Sequence, residues 1–336
     1  QTFPLRDSGN GDLKRTDDCN YPLCSGGVCN LTTTSRQFVP HVSEGIDEAA
    51  RNEFRCLSTG ALDIIEPYTA IIHGIGVVPA DIAEAAASEV ELIWSPRTNI
   101  TLYGDTARVT EWARLGATIG LGTDWTRSGS MNMLRELACA DSFNQAHLDG
   151  FFPDEQLWLM ATRNSARALG FQDVIGTLAV GLIADISIYD ASTHANHRAV
   201  LNAGADDVVL VLKGGQPLFG DAALIETLRT GCDLVTTADY ADVCGVAKRA
   251  CLQDMRCGSA RGPCSYTNFA ALNTATSTRA PEFVQYPLFY CGAVEGEPSC
   301  VPERMRMTAP DASENGSSYY SGMSSATDMD GDGIED

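Results

Sequence analysis

The sequence predicts an α/β fold on a parallel sheet, followed by a smaller β-rich unit and an irregular cysteine-rich extension. Two observations carry this. Between residues 37 and about 170, short apolar runs alternate with helix-patterned stretches across short connections, the βαβ rhythm that gives parallel sheets. After Gly170 the rhythm gives way to β-rich runs with Gly turns, "IGTLAVGLIADISIYD" (175–190) and "DDVVLVLKGGQPLFG" (206–220).

Taken in order, residues 1–36 are turn-rich and hold Cys19, Cys24 and Cys29. "QFVPHV" is strand-like. "GIDEAARNEFRCLS" is helical, with its acids early, where the helix dipole favours them. "AIIHG" (70–74) is a buried strand, and "PADIAEAAASE" (79–89) opens a helix on Pro79. "VELIWSP" (90–96) is the next strand. "DTARVTEWARLG" (105–116) is a helix with Asp105 or Thr106 as cap and Gly116 just past its end. "ATIGLGTDW" (117–125) is a strand, and "SMNMLRELACADSF" and "DEQLWLMATRNSARALG" are helices. The boundaries that follow are 1–36 irregular, 37–174 the main α/β unit, 175–230 the β unit, 231–326 the Cys-rich extension and 327–336 an acidic end.

The 336 residues are 44% hydrophobic and 20% charged, which is ordinary for a globular protein. Acidic residues outnumber basic ones 44 to 23, for a net charge of -21, which argues against nucleic-acid or anionic-membrane partners. No run approaches the roughly 18–20 apolar residues of a membrane span. "QTFPLRDSGN" has no signal-peptide pattern, and its non-Met start suggests a processed chain or a fragment. Of the 12 cysteines, Cys56 and Cys139 sit in helical patterns and the others cluster in weakly periodic Gly/Ser/Pro-rich segments; the set reads as disulfides, hence a secreted, extracellular or periplasmic protein. The rival reading, a zinc knuckle, fits neither C-x4-C-x4-C nor C-x6-C-x5-C-x6-C. Pairing and oligomeric state stay open.

Three polar residues, His41, His73 and Asp124, fall at the C-terminal ends of predicted strands, where parallel α/β proteins build their sites. His41 and His73 are 32 residues apart, about one βα unit of an eight-unit barrel. His73 and Asp124 are 51 apart with one strand between, so the three sit on strands n, n+1 and n+3. Imidazole and carboxylate together suit Zn²⁺ or a similar ion, which generates hydroxide from water near neutral pH. Glu44, three residues beyond His41, is positioned to pass a proton to a leaving group. Singly, each has an ordinary reading as a strand-end polar residue, a cap, or an acid at a helix start. His147, His194 and His197 lack such placement and read as surface or loop residues.

"HVSEGIDEAARNEF", "IIHGIGV", "LIWSPRTNITLYG", "ATIGLGTDWTRSGSMNMLRELACA", "LMATRNSARALGF" and "IGTLAVGLIADISIYD" resemble consecutive blocks of the amidohydrolase superfamily, in the branch of cytosine and guanine deaminases and triazine hydrolases. The resemblance implies a partial TIM (β/α)8 barrel, from about its fourth or fifth strand to its eighth, with part of a small β-sandwich. By the same resemblance, His41, His73 and Asp124 are metal ligands. Glu44 and Asp124 move protons, and His73 binds metal or substrate. Ser95, Asn99 and Trp125 belong to the substrate pocket. Zinc is the expected ion, with iron or manganese accepted by the same donors. The family's first-strand His-x-His pair has no counterpart here, and no His precedes His41. The expectation is therefore a chain truncated at its N-terminus, partnered by a missing N-terminal half of the same protein.

"DMDGDGIED" sets Asp328, Asp330, Asp332 and Asp336 on a Gly-containing loop, a pattern that suits Ca²⁺ and resembles one truncated thrombospondin type-3-like repeat. Lys14, Lys213 and Lys248 fall in predicted loops or β-edges, which disfavours a lysine-bridged dinuclear centre. Two readings of function follow. The first is a metal-dependent hydrolase in which activated water attacks a C–N bond of a small molecule. The alternative is a non-catalytic exported module on a degenerate or truncated barrel.

Overall fold

Four strands, β1 (His41–Val42), β2 (Ala70–His73), β3 (Glu91–Trp94) and β4 (Ile119–Leu121), form one sheet in chain order, and every neighbouring pair is parallel. The computed structural model describes residues 18–19, 37–60, 63–124, 128–236, 241–253, 268–272, 274, 291 and 300–301. Four helices connect these strands: α1 (Glu48–Leu57), α2 (Pro79–Ala87), α3 (Pro96–Tyr103) and α4 (Val109–Arg114). The rhythm read from the sequence is thus a parallel sheet with helical crossovers. Register sorts its residues into rows. Ile71, Leu92 and Ile119 share one row, Val42, Trp94 and Leu121 another. All six are buried in one core with Phe54 of α1, Ile82 of α2 and Trp112 of α4. The opposite face, with His41, Ile72 and Ile93, is only half-buried.

Local chemistry explains most helix starts. Asp47 Oδ1 accepts from Ala50 N–H at 2.9 Å and caps α1. Pro79 opens α2, and Asp81 accepts from Val78 N–H at 3.0 Å. The helix expected from residue 105 begins instead at Val109, as α4. The Thr106 hydroxyl is taken by Trp94 Nε1 at 2.7 Å and by Asn99 Nδ2 at 3.2 Å, so it is not free to cap. Helix α3 has no counterpart among the predicted elements. Pro96 stands at its start, and Gly104 closes it with a φ of 66°, a conformation that costs glycine nothing.

Beyond β4 come α5 (Met133–His147), α6 (Asp154–Ala161) and α7 (Arg163–Ala168). The stretch read as one helix is broken at Thr162, where ψ is −99°. After the bend, α7 is turned onto β4. Asn164 Nδ2 donates to Ile119 C=O at 3.0 Å, and Ser165 Oγ accepts from Leu121 N–H at 3.2 Å. A side chain at Gly120 would meet Ser165 at 3.1 Å, so glycine permits this approach.

A second sheet is antiparallel, ordered β5-β6-β7-β9-β8. Its strands are β5 (Ile186–Tyr189), β6 (Val208–Lys213), β7 (Gln216–Asp221), β8 (Asp233–Leu234) and β9 (Lys248–Ala250), with α8 (His197–Leu201) and α9 (Ala222–Leu228) between them. It continues past residue 230, so the start of the segment read as irregular is part of the β unit. Disulfides join Cys19–Cys56, Cys139–Cys300, Cys232–Cys251 and Cys244–Cys291. The Cys232–Cys251 bridge spans the hairpin of β8 and β9, two strands too short to show a period.

Lys248 is not the loop or edge lysine expected. It lies on β9, between β7 and β8, and is 1% exposed. Its ammonium donates to Asp206 C=O at 2.6 Å, Val208 C=O at 2.9 Å and Asp221 Oδ1 at 2.5 Å. These are three donors fully used, so the charge is tolerable. Removing it leaves three acceptors unpaired. Lys248→Met is expected to lower the unfolding free energy by on the order of 3 kcal/mol, read from the urea midpoint at constant m-value.

Candidate metal centre

His41, His73 and Asp124 each offer a donor atom, and these atoms lie within 4.8 Å of one another. The two imidazole rings are 5.1 Å apart and tilted by 42°. His41 is half-buried, His73 buried and Asp124 exposed, so the group opens to solvent on one side. His41 opens the two-residue β1 rather than ending a strand, and Asp124 lies three residues past β4. The strand order still sets the three on β1, β2 and the end of β4, the n, n+1, n+3 arrangement read from spacing.

His73 needs a special backbone to join this group. His41 is in register with Ile72, and His73 with Val42. Regular alternation would therefore turn His73 away from His41, toward the helix-covered core. Instead φ at His73 is 71°, in the left-handed region. Ser43 at 55° and Asp124 at 54° are left-handed too. Non-glycine residues seldom adopt this region, at roughly 1–3 kcal/mol each, and do so where surrounding structure compels them.

Hydrogen bonds then orient the ring. His73 Nδ1 donates to Asn99 Oδ1 at 2.8 Å, and Asn99 Nδ2 donates to Thr106 Oγ1 at 3.2 Å. This leaves Nε2 with its lone pair. Nε2 is buried without a hydrogen-bond partner and lies 3.6 Å from Glu44 Oε1. Glu44 Oε1 accepts from Tyr103 O–H at 2.7 Å. An orphaned buried imidazole nitrogen beside a second imidazole and a carboxylate is a donor set that fits a divalent ion.

The sequence-predicted residues divide accordingly. His41, His73, Asp124 and Glu44 come together. Ser95 and Asn99 are buried. They are 1% and 0% exposed at the start of α3, and Asn99 is committed to His73 and Thr106. Trp125, and the calcium expectation at Asp328, Asp330, Asp332 and Asp336, lie outside the described residues. His147 is not a loop residue: it ends α5, with Nε2 buried and without a hydrogen-bond partner. The sequence gives no functional signal for Tyr103 or Trp94 and reads Thr106 only as a candidate cap, although Pro96 and Gly104 are available signals for the helix that presents Asn99 and Tyr103.

Residues 32–218 match the family model described as the amidohydrolase family. The chain belongs to the amidohydrolase family. It is 28% identical over 181 residues to the 5-methylthioadenosine/S-adenosylhomocysteine deaminase of Caldanaerobacter subterraneus subsp. tengcongensis, covering 53% of this chain and 40% of that protein. It is 32% identical over 133 residues to the deaminase of the same name from Pelotomaculum thermopropionicum, covering 39% and 30%. A solved adenosine deaminase from Xanthomonas campestris with bound zinc aligns at 22% identity and a TM-score of 0.47, over 54% of this chain and 45% of that one. The chain thus spans less than half the length of these relatives.

In this amidohydrolase chain one further acid lies near the centre. Glu136, on α5, is fully buried. Burial pushes its carboxyl up to about 7, against the downward pull of the Ser130 hydroxyl, the Arg97 backbone N–H and the Arg97 charge. The negative charge of Asp124 adds a smaller upward push. The ordinary value is 4.5, so the folded chain holds a proton that the unfolded chain releases between pH 4.5 and 7. Folding is therefore favoured on the acid side, and this contribution is lost as pH rises through that window. Glu136→Gln cannot titrate. From pH 4.5 to 7, wild type is expected to lose up to roughly 3 kcal/mol of stability relative to Glu136→Gln, in urea titrations with chelator present. A difference that stays constant across this range would refute the assignment.

Proposed function

We propose that this chain carries the His41, His73 and Asp124 ligands of a zinc-dependent hydrolase that removes an amino group from a small aminated heterocycle. The observation that carries the reading is the convergence of three donor atoms on the orphaned, hydrogen-bond-oriented Nε2 of His73. A divalent ion held there, zinc foremost, supplies positive charge that acidifies water and polarises the bond under attack. Asp124 has two carboxylate oxygens, so one can bind the ion while the other accepts a proton from the attacking water. Glu44, held by Tyr103, is the acid we assign to the leaving nitrogen. His73 Nδ1 stays on Asn99 throughout, which keeps Nε2 available as a donor.

Relatives named as methylthioadenosine and S-adenosylhomocysteine deaminases support an aminopurine nucleoside as the substrate class. The net charge of -21 favours uncharged nucleosides over phosphorylated ones. We further propose that the half-buried face with His41, Ile72 and Ile93 lines the inside of a TIM barrel. On this reading the remaining strands, and the ligands of the family's His-x-His pair, come from an N-terminal half of the same protein. The four described disulfides support an oxidising, exported location.

Metal analysis and ammonia release from S-adenosylhomocysteine test the reading on the full-length protein. Wild type is expected to hold zinc and release ammonia, while His41→Ala and Asp124→Ala lose both. Asn99→Ala is expected to keep the ligands but weaken zinc binding by roughly 10–100-fold, read by chelator competition. Wild-type protein that holds no divalent metal would overturn the proposal.

A further inference from the structure

Helix α3 contributes none of the three donor atoms, yet its side chains bond two residues of the centre. Asn99 bonds His73, and Tyr103 bonds Glu44. Its first turn reaches in another direction, to the segment between β4 and α5 that carries Asp124. Arg97 Nε donates to Ser130 Oγ at 2.6 Å, and its Nη2 donates to Arg135 C=O at 3.1 Å. The Arg97 backbone N–H donates to Glu136 at 3.3 Å. Thr98 and Ser128 share a hydroxyl–hydroxyl bond of 2.5 Å. Ser130 N–H donates to Thr123 C=O at 3.2 Å, which closes the loop one residue before Asp124. Arg97, Thr98, Ser128 and Ser130 are all buried.

A guanidinium buried at 4% exposure is expensive unless its hydrogen bonds are made, and here one runs to Ser130, on the segment after Asp124, and one to Arg135 in the first turn of α5. Asp124 itself is exposed and strained at a φ of 54°, so its own packing does not hold it in place. We propose that Arg97 is a positioning residue of the centre: its guanidinium holds Ser130, whose N–H bonds the Thr123 carbonyl beside Asp124, so that the Asp124 carboxylate meets the two imidazoles, while Asn99 on the same helix turn fixes His73. This rests on the reading of His41, His73 and Asp124 as a metal site. Arg97 touches neither ion nor substrate. A lysine at this position keeps the charge and loses the planar fork.

The test is zinc affinity by chelator competition, together with the visible d–d spectrum of the cobalt(II)-loaded protein, which reports ligand geometry. Both are measured on the full-length protein and on Arg97→Lys, Ser130→Ala, Asp124→Ala and Lys248→Met. Arg97→Lys is expected to bind zinc about tenfold more weakly and to change the cobalt spectrum. Ser130→Ala removes one acceptor of the fork and should shift both readouts in the same direction. It serves alone if Arg97→Lys fails to fold. Lys248→Met loses stability in the other sheet and should leave both readouts unchanged, which separates positioning from general destabilisation. Wild-type affinity and spectrum in both Arg97→Lys and Ser130→Ala, with binding lost in Asp124→Ala, overturn the positioning role and leave the metal-site reading intact. Unchanged binding in Asp124→Ala, or none in wild type, overturns both.

Discussion

At His73 the backbone enters the left-handed region, and a 2.8 Å hydrogen bond to Asn99 holds the ring in the orientation that results. The arrangement is unfavourable on its own terms. The left-handed backbone costs on the order of 1–3 kcal/mol, and a buried nitrogen without a partner costs roughly 1–3 more. One neutral hydrogen bond returns only about 1 kcal/mol. The rest is borne by the surroundings: Trp94 and Thr106 fix Asn99 from behind, and β2 is locked on both sides by β1 and β3. Strain of this kind persists where the scaffold over-determines the local geometry. Anything that bonds to Nε2 recovers the orphan's cost, so ligand affinity and fold stability are coupled at this residue.

The need to hold His73 and Asp124 at once explains the composition of α3. Its buried residues are Pro96, Arg97, Thr98, Asn99 and Ile100, mostly polar, while Leu102 and Tyr103 are half-buried. That inverts the usual apolar-inward pattern. It also explains why periodicity did not reveal the helix: the residues facing inward were chosen for hydrogen bonds. Pro at the start and Gly past the end do mark it, but these are boundary signals and carry no face. The sequence marks Asn99 only through the family-like block that follows β3. What sequence alone could not assign was its partner, because the contact with His73 crosses 26 residues.

The parallel sheet was legible for the opposite reason. "AIIHG", "VELIW" and "ATIGL" are apolar because each strand packs under helices, so pattern and burial agree. The spacing of His41, His73 and Asp124 was informative because βα units repeat the same length, and one unit apart means adjacent strands. Legibility failed where side chains override pattern. Thr106 gives its hydroxyl to Trp94 and delays α4. Asn164 and Ser165 bend the chain at Thr162 to reach the backbone of β4. The extent of the second sheet is hidden because β8 and β9 are 2 and 3 residues long, with a cystine linking one to the other and the buried Lys248 tying β9 to Asp221 of β7.

Charge closes the account of the centre. Two carboxylates, Glu44 and Asp124, and two imidazoles meet there, a balance that a doubly charged ion neutralises. A third ionised acid nearby would upset it. Glu136 carries that risk, and its burial answers it in part: held up to about 7, its carboxyl gives up its proton less readily than an ordinary glutamate. Its remaining charge is met by Arg97, whose fork is already committed to Ser130 and the Arg135 carbonyl. Arg97 is therefore spent on Ser130 and the first turn of α5 rather than on the donor atoms of the centre.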